Sequence, residues 1–326
     1  MKKIATGFIV TLFLVVFTFG CAFASIFSDG SILTDLLDQG EFKTDVDVSY
    51  SSASDFLDMG VLSPTAEAKW IPLSDAGQSS FTMTNVPLRM DYGVNENFSA
   101  RVSLPYTSLS SKSKTGSTSS SSGLGNLEVE GLYAILKENE ASPSFSTLVK
   151  IKLGAGKMYS ELSTNEAPIG TRSTDITLAG VLAKKSGSST WKFLLGYTHS
   201  MPYKENMSGG SYPAFDIDLT DQIIYSLALS YPFDNQLTVA GELWGAVSLD
   251  KEVWSQTVAG NTYKAEFQNS SRGQLVFSPY LSYNLNENFS VKGAADLIVW
   301  KPAAVTVNFL DMAKWNTVTL AGTYIM

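Results

Sequence analysis

Charge is scarce in this chain of 326 residues: Asp, Glu, Lys and Arg make up 17% of it, against about 25% in ordinary soluble domains. There is one cysteine, Cys21, and one histidine, His199. A single thiol supports neither a disulfide framework nor a thiolate metal site. Positive charge is in deficit, with 23 Lys and Arg against 31 Asp and Glu and a net charge of −8, which argues against a nucleic-acid partner. Proline is limited to 11 residues, while Phe, Tyr and Trp number 18, 14 and 6. That balance is too aromatic for disorder and too poor in proline for linker material. Beyond residue 24 no run of 18 apolar residues occurs, which excludes helical membrane spans there.

What is present begins with a leader. Lys2 and Lys3 precede an apolar stretch from Ile4 to Phe19 and then Ala22-Phe23-Ala24, a small-x-small pattern that predicts a secretory signal peptide over 1–24, cleaved after Ala24. A membrane-anchoring helix is the competing reading, but the stretch is short for a span of about 20 residues. A lipid anchor on Cys21 fits poorly with the preceding Thr18-Phe19-Gly20. The organisation expected is a signal at 1–24, a short periplasmic segment at 25–40 and a barrel at 41–326.

Along nearly all of 41–326 the pattern has period two. Phe42, Thr44, Val46, Val48 and Tyr50 alternate with Glu41, Lys43, Asp45 and Asp47, and Leu127, Val129, Gly131, Tyr133 and Ile135 alternate with Glu128 and Glu130. Successive strand side chains point to opposite faces, so each such run has one apolar and one charged face. Strands are predicted near 41–50, 80–92, 97–106, 125–136, 144–154, 173–184, 191–200, 221–231, 237–246, 272–283, 288–300 and 314–326. The connections alternate between long and short, as in outer-membrane barrels with long outer loops and short periplasmic turns. In lipid every backbone polar group must be paired, and only a closed sheet does this with strands. The expected fold is all-β, a transmembrane antiparallel up-and-down β-barrel of about 12 strands with both termini in the periplasm. A secreted β-sandwich is the soluble alternative.

Three echoes support the turns. Tyr92-Gly-Val-Asn-Glu-Asn-Phe98, Tyr231-Pro-Phe-Asp-Asn-Gln-Leu237 and Tyr283-Asn-Leu-Asn-Glu-Asn-Phe289 share one arrangement, placing a Tyr at the membrane interface, where amphipathic rings prefer to lie. The C-terminal face Val318, Leu320, Gly322, Tyr324 and Met326 resembles the signal read by the barrel assembly machinery, with Met326 where an aromatic is usual.

Folding 137–143 as a turn puts Glu130 opposite Lys150 and Glu128 opposite Lys152, a cross-strand charge ladder. It reads either as a brace that fixes strand pairing or as a polar constriction that selects permeants. Arg89, Asp91, Arg101, Asp175, Lys184, Lys192, Glu242, Lys292 and Asp296 share the inward parity. A lumen of mixed sign argues against strong ion selectivity. Segment 107–122, rich in serine, reads as flexible solvated surface. Segments 51–62, 212–219 and 303–310 are apolar, and either fold over the mouth, extend strands above the bilayer or line an apolar vestibule. Ile32, Leu33, Leu36 and Leu37 fit one or two amphipathic helical turns at the periplasmic opening, too short for a full plug.

Catalysis has little support. His199 shares the parity of Trp191, Phe193, Leu195 and Tyr197 and points toward the headgroups, whereas a Ser-His-Asp enzyme needs its histidine beside the nucleophile. No phosphate loop, zinc spacing or calcium loop is present, and no cofactor is expected.

Gly123-Leu-Gly-Asn-Leu-Glu-Val-Glu-Gly-Leu-Tyr133-Ala-Ile-Leu136, the strand 144–154 and Gly170-Thr-Arg-Ser-Thr-Asp-Ile-Thr-Leu-Ala-Gly180 are together similar to the outer-membrane barrel family named for the meta-pathway of phenol degradation. The Leu104-Pro105-Tyr106 that ends the preceding hairpin resembles it as well. Asn126 stands where the family commonly has Asp, and Lys152-Leu-Gly-Ala-Gly156 replaces a Pro-Thr-Gly step. The resemblance covers about 80–300 and implies a channel for small, often aromatic or hydrophobic compounds, with no catalytic residues to transfer. The partners expected are outer-membrane lipids and lipopolysaccharide, the assembly machinery and a small-molecule permeant. The alternative is a structural or surface-interaction barrel with a closed lumen. An outer-membrane hydrolase ranks last.

Overall fold

The computed structural model describes residues 32–58, 69–72, 78–155, 172–205, 215–249, 252–258, 261–267, 273–301 and 313–326. The signal peptide, the apolar segment 303–310 and parts of 51–62 and 212–219 lie outside them. In chain order the strands are β1 Phe42–Asp58, β2 Lys69–Pro72, β3 Gln78–Asn95, β4 Phe98–Ser113, β5 Thr118–Leu124 and β6 Leu127–Leu136. Then come β7 Ser144–Leu153, β8 Asp175–Ser186, β9 Ser189–Ser200, β10 Tyr203–Glu205, β11 Phe215–Asp218 and β12 Gln222–Pro232. The last are β13 Leu237–Ser248, β14 Glu252–Val258, β15 Asn261–Phe267, β16 Gln274–Asn284, β17 Phe289–Trp300 and β18 Ala313–Ile325.

Twelve of these, β1, β3, β4, β6, β7, β8, β9, β12, β13, β16, β17 and β18, form one antiparallel sheet in which each strand pairs with the next. Pairing of β18 with β1, from Lys43 opposite Ile325 to Ser52 opposite Asn316 and beyond, closes the ring. The seam is finished by two bonds, Phe42 N–H to the Met326 carbonyl at 3.0 Å and Met326 N–H to the Phe42 carbonyl at 2.8 Å. Closure leaves no barrel strand with an open edge, the condition for crossing lipid with strands. Each predicted strand coincides with one of the twelve to within a few residues, apart from extensions at the long-loop end.

The alternation becomes a physical division of faces. Val46, Val48, Leu88, Met90, Val129, Leu178, Leu227 and Leu243 are exposed on the outer wall, while Asp45, Asp47, Arg89, Asp91, Glu130 and Glu242 are buried inside. Tyr92, Tyr133, Tyr231, Tyr283 and Tyr324 ring the outer wall at the short-turn end and Tyr50, Tyr106 and Tyr197 the other, two girdles at the depths where aromatic rings settle. The three echoed turns share a cause. The residue three after each Tyr is Asn or Asp, and Asn95, Asp234 and Asn286 each accept a backbone N–H two residues on at 2.8–2.9 Å. This is the Asx turn such side chains favour.

At the long-loop end the expected loops are more regular than their composition indicates. The serine-rich segment 107–122 is a β-hairpin, with the upper part of β4 paired to β5 from Tyr106 opposite Leu124 to Lys112 opposite Thr118. Its turn holds Gly116 at φ +93°. Serine scatter hides an alternation that the structure shows: Leu109 and Thr107 on the β4 arm are buried, and along β5 exposed and half-buried positions alternate. Strands β10, β11, β14 and β15 form a separate small sheet. Ile217 and Leu219, from the apolar segment 212–219, are buried there with Tyr203, Phe215 and Trp254 packed against them. The apolar character of 215–219 therefore serves packing above the barrel rather than an open vestibule.

Candidate functional site

The interior wall has two contrasting arcs. On one, the registers of successive pairs set Lys43 opposite Asp91, Asp91 opposite Arg101, Arg101 opposite Glu130 and Glu130 opposite Lys150. The adjacent row runs Asp45, Arg89, Ser103, Glu128, Lys152, Asp175. The predicted rungs Glu130–Lys150 and Glu128–Lys152 are thus two steps of ladders that cross five and six strands. Side chains pair both along the rows and between them. Arg101 meets Asp91 with Nε to Oδ1 at 2.6 Å and Nη2 to Oδ2 at 2.7 Å, and Arg89 pairs with Asp47. Lys150 bridges Glu128 at 2.7 Å and Glu130 at 3.4 Å, while Lys152 turns to Asp175. Alternating signs satisfy one another, which is how charge survives at burial this deep.

The other arc is apolar: it begins on β6, β7 and β8, nearer the short turns than the ladders, and continues over β9, β12, β13 and β16. Leu132, Leu148, Ala179, Val181, Leu194, Ala228, Trp244 and Val276 form one buried cluster inside the barrel. These positions have the inward parity of the charges but no charge, so attention to charge alone passes over them. Alternation carries the signal: Leu194 is two residues from Lys192, and Trp244 two from Glu242. Trp244 Nε1 donates to Ser278 Oγ at 2.9 Å, and the Ser278 hydroxyl donates in turn to Asp296. Glu242 accepts from Ser226 Oγ at 2.5 Å, and Lys292 lies over the Tyr280 ring at 5.4 Å.

Between the arcs lies the segment that precedes β1. Residues 32–39 contain no helix, in contrast to the amphipathic turns expected, and they enter the lumen rather than rest at its opening. Ile32 and Leu33 are buried in the apolar cluster with Leu36 packed against it. The physical reason is that an extended segment can spend its N–H groups on the wall. Leu33 N–H donates to Glu130 Oε2 at 2.5 Å and Leu37 N–H to Ser99 Oγ at 2.9 Å. Lys192 Nζ grips both oxygens of Asp35, at 2.5 and 2.7 Å. The turn into β1 uses Gly40 at φ +85°, and Gly40 N–H bonds the Gly93 carbonyl at 2.8 Å.

Of the inward residues expected from parity, Arg89, Arg101, Glu130, Glu242 and Asp296 are buried, and Glu128, Lys150, Lys152, Asp175, Lys192 and Lys292 are partly so. Lys184 differs. It folds onto the turn 137–143, with Nζ 2.5 Å from the Asn139 carbonyl and 3.1 Å from that of Glu140, and so serves the turn instead of the lumen.

His199 is exposed at the long-loop rim, as its parity requires, and shares Asp221 with Tyr197 and the Ser200 N–H. Its Nδ1 is 2.8 Å from Asp221 Oδ1. Burial raises the Asp221 pKa, but the bonds from Tyr197, His199 and Ser200 outweigh it and leave the carboxyl below its ordinary value. A lowered acid stabilises its surroundings above the unfolded value and loses that effect as pH falls through the folded one. The rim contact is therefore expected to persist at neutral pH and to loosen only below the ordinary carboxylate range. Faster hydrogen exchange of the Ser200 amide in that acid window, absent in Asp221→Asn, checks this.

No protein-family model matches the sequence, and no curated protein matches it. Solved structures match in fold. An outer membrane channel from Pseudomonas putida F1 superposes with a TM-score of 0.65 at 14% identity, over 90% of this chain and 98% of that one. A deletion mutant of the TodX monoaromatic hydrocarbon channel gives a TM-score of 0.52 at 9% identity, over 94% of this chain and 95% of that one. The fold is that of outer-membrane barrels.

Proposed function

We propose that this protein is an outer-membrane channel for passive uptake of small molecules with substantial apolar surface. The observation that carries the reading is the buried apolar arc inside the barrel. A brace made of paired charges needs no apolar wall beside it. This wall instead offers an apolar face against which the N-terminal segment rests its own apolar side chains, held to the wall by a few polar contacts. A permeant of similar character would occupy the same face once that segment withdraws. The fold's similarity to two channels, one of them titled for monoaromatic hydrocarbons, supports the reading, as does the sequence resemblance to the phenol meta-pathway barrels. In this reading the long loops face outward among lipopolysaccharide, the short turns and the N-terminal segment face the periplasm, and β18 is the strand read by the assembly machinery.

The chemistry asked of the protein is solvation and guidance, with no bond made or broken. Purified protein in planar bilayers is expected to conduct ions, and in vesicles with a lipopolysaccharide outer leaflet to speed entry of benzyl alcohol over protein-free vesicles. Absence of both would favour the second reading, a closed structural barrel, whose supporting observation is the pair of charge ladders that fill the polar arc.

A further inference from the structure

The apolar arc ends, toward the short turns, at a cation whose strand neighbours carry no charge. Lys192 lies opposite Ala183 on β8 and Ala228 on β12, and the carboxylate it holds comes from the N-terminal segment. Two residues before that carboxylate, Leu33 is buried in the apolar cluster. Asp35 and Leu33 thus present, about 7 Å apart along the chain, an acid head and an apolar body to one wall that complements both. Lys43 and Lys292 add to the field at the head. Lys192 first, with these two behind it, holds the Asp35 carboxyl below its ordinary range. Lys43 itself also bridges Asp45 at 2.8 Å.

We infer that the segment Ile32–Asp35 is an internal mimic of the permeant, and that the site it fills takes small monocarboxylates with an apolar body, the carboxylate on Lys192 and the body against Leu148, Leu194 and Trp244. The inference rests on the channel reading and narrows it. An acid that pairs with Lys192 replaces Asp35 like for like, so the partly buried ammonium keeps a carboxylate throughout. A neutral alcohol of the same body displaces Asp35 and puts no carboxylate in its place, so the ion pair of Lys192 with Asp35 is lost and not replaced. A cationic amine meets Lys192 as a like charge.

The test is calorimetric titration of the purified, detergent-solubilised protein with hexanoate, 1-hexanol and hexylamine, with protein-free micelles as the blank. Hexanoate is expected to bind about tenfold tighter than hexanol, with hexylamine weakest. Asp35→Asn removes the competing acid and is expected to tighten hexanoate by about tenfold, since a larger fraction of the protein is then competent to bind. Lys192→Met is expected to weaken hexanoate by about tenfold and to leave hexanol binding no weaker than in the parent, since Asp35 no longer has to be drawn off an ammonium. Heat-modifiable migration in gels verifies that both variants form barrels. Equal binding of hexanoate and hexanol, or a Lys192→Met loss shared equally by both, overturns the inference. Bilayer conductance of the same preparations reports separately on the channel reading, which survives if ions pass while the carboxylate preference is missing.

Discussion

Arg101→Met is expected to destabilise the barrel by about 3–5 kcal/mol, the cost of leaving a buried partner charge uncompensated. Arg101 holds both oxygens of Asp91, and both side chains are almost wholly shielded, at 3% and 1% exposure. It also stands between Asp91 and Glu130 in the ladder, so its loss leaves two acids adjacent to a neutral rung. Asp91 has a second cation in reach, Lys43 at 3.7 Å, a longer and less directional contact. Urea titration of refolding, followed by gel mobility of unheated samples, measures the effect. The double variant Arg101→Met with Asp91→Leu is expected to recover most of the loss, because apolar pairs of similar volume replace buried ion pairs at little cost. A single variant as stable as the parent would mean that the ladder is solvated and braces nothing.

The second large effect is expected from the N-terminal segment. Ile32→Asp with Leu33→Asp puts two carboxylates into the cluster around Leu148, Val181 and Leu194, where a lone ion costs several kcal/mol. The segment then leaves the lumen, and mean current through planar bilayers is expected to rise about tenfold. Gly93→Ala reaches the same end without adding charge. A Cβ at Gly93 would fall 1.9 Å from the Asp38 carbonyl oxygen and 3.0 Å from that of Leu37, both backbone atoms, so the segment must move. Unchanged current in both variants would assign the barrier to the charge ladders instead of to 32–38.

The fold was legible because each barrel strand carries its environment in alternate residues. Val46 and Asp47 declare opposite solvents, and a one-residue error of register would exchange them. Short turns were legible through Asn95, Asp234 and Asn286, whose side chains act on the next few residues alone. The rungs Glu130–Lys150 and Glu128–Lys152 were readable for a similar reason, since a short turn joins their strands. The extension of the ladder to Arg101 and Asp91 was not. The register of β4 against β6 passes across the hairpin 107–124, whose length says nothing about alignment.

The candidate site was half visible. Inward parity located the charges, including Glu242 and Asp296, and the same parity contains Leu148, Leu194 and Trp244. What it cannot say is that these three, from β7, β9 and β13, converge on one arc. Nor does the spacing of Ile32, Leu33, Leu36 and Leu37 state whether they form a helix or lie extended. Glu130, Ser99 and Lys192, from three different strands, decide that by taking up two backbone N–H groups and the Asp35 carboxylate.

Local alternation, turn chemistry and scarcity of charge therefore determine by themselves that this chain is a lipid-facing barrel of twelve strands, because each of those signals acts within a strand or across one turn. Which inward residues meet, and that the segment before β1 lies inside, is decided by closure of the ring. Contacts such as Lys192 with Asp35, 157 positions apart, exist only once β18 has met β1 and the lumen they share has been enclosed.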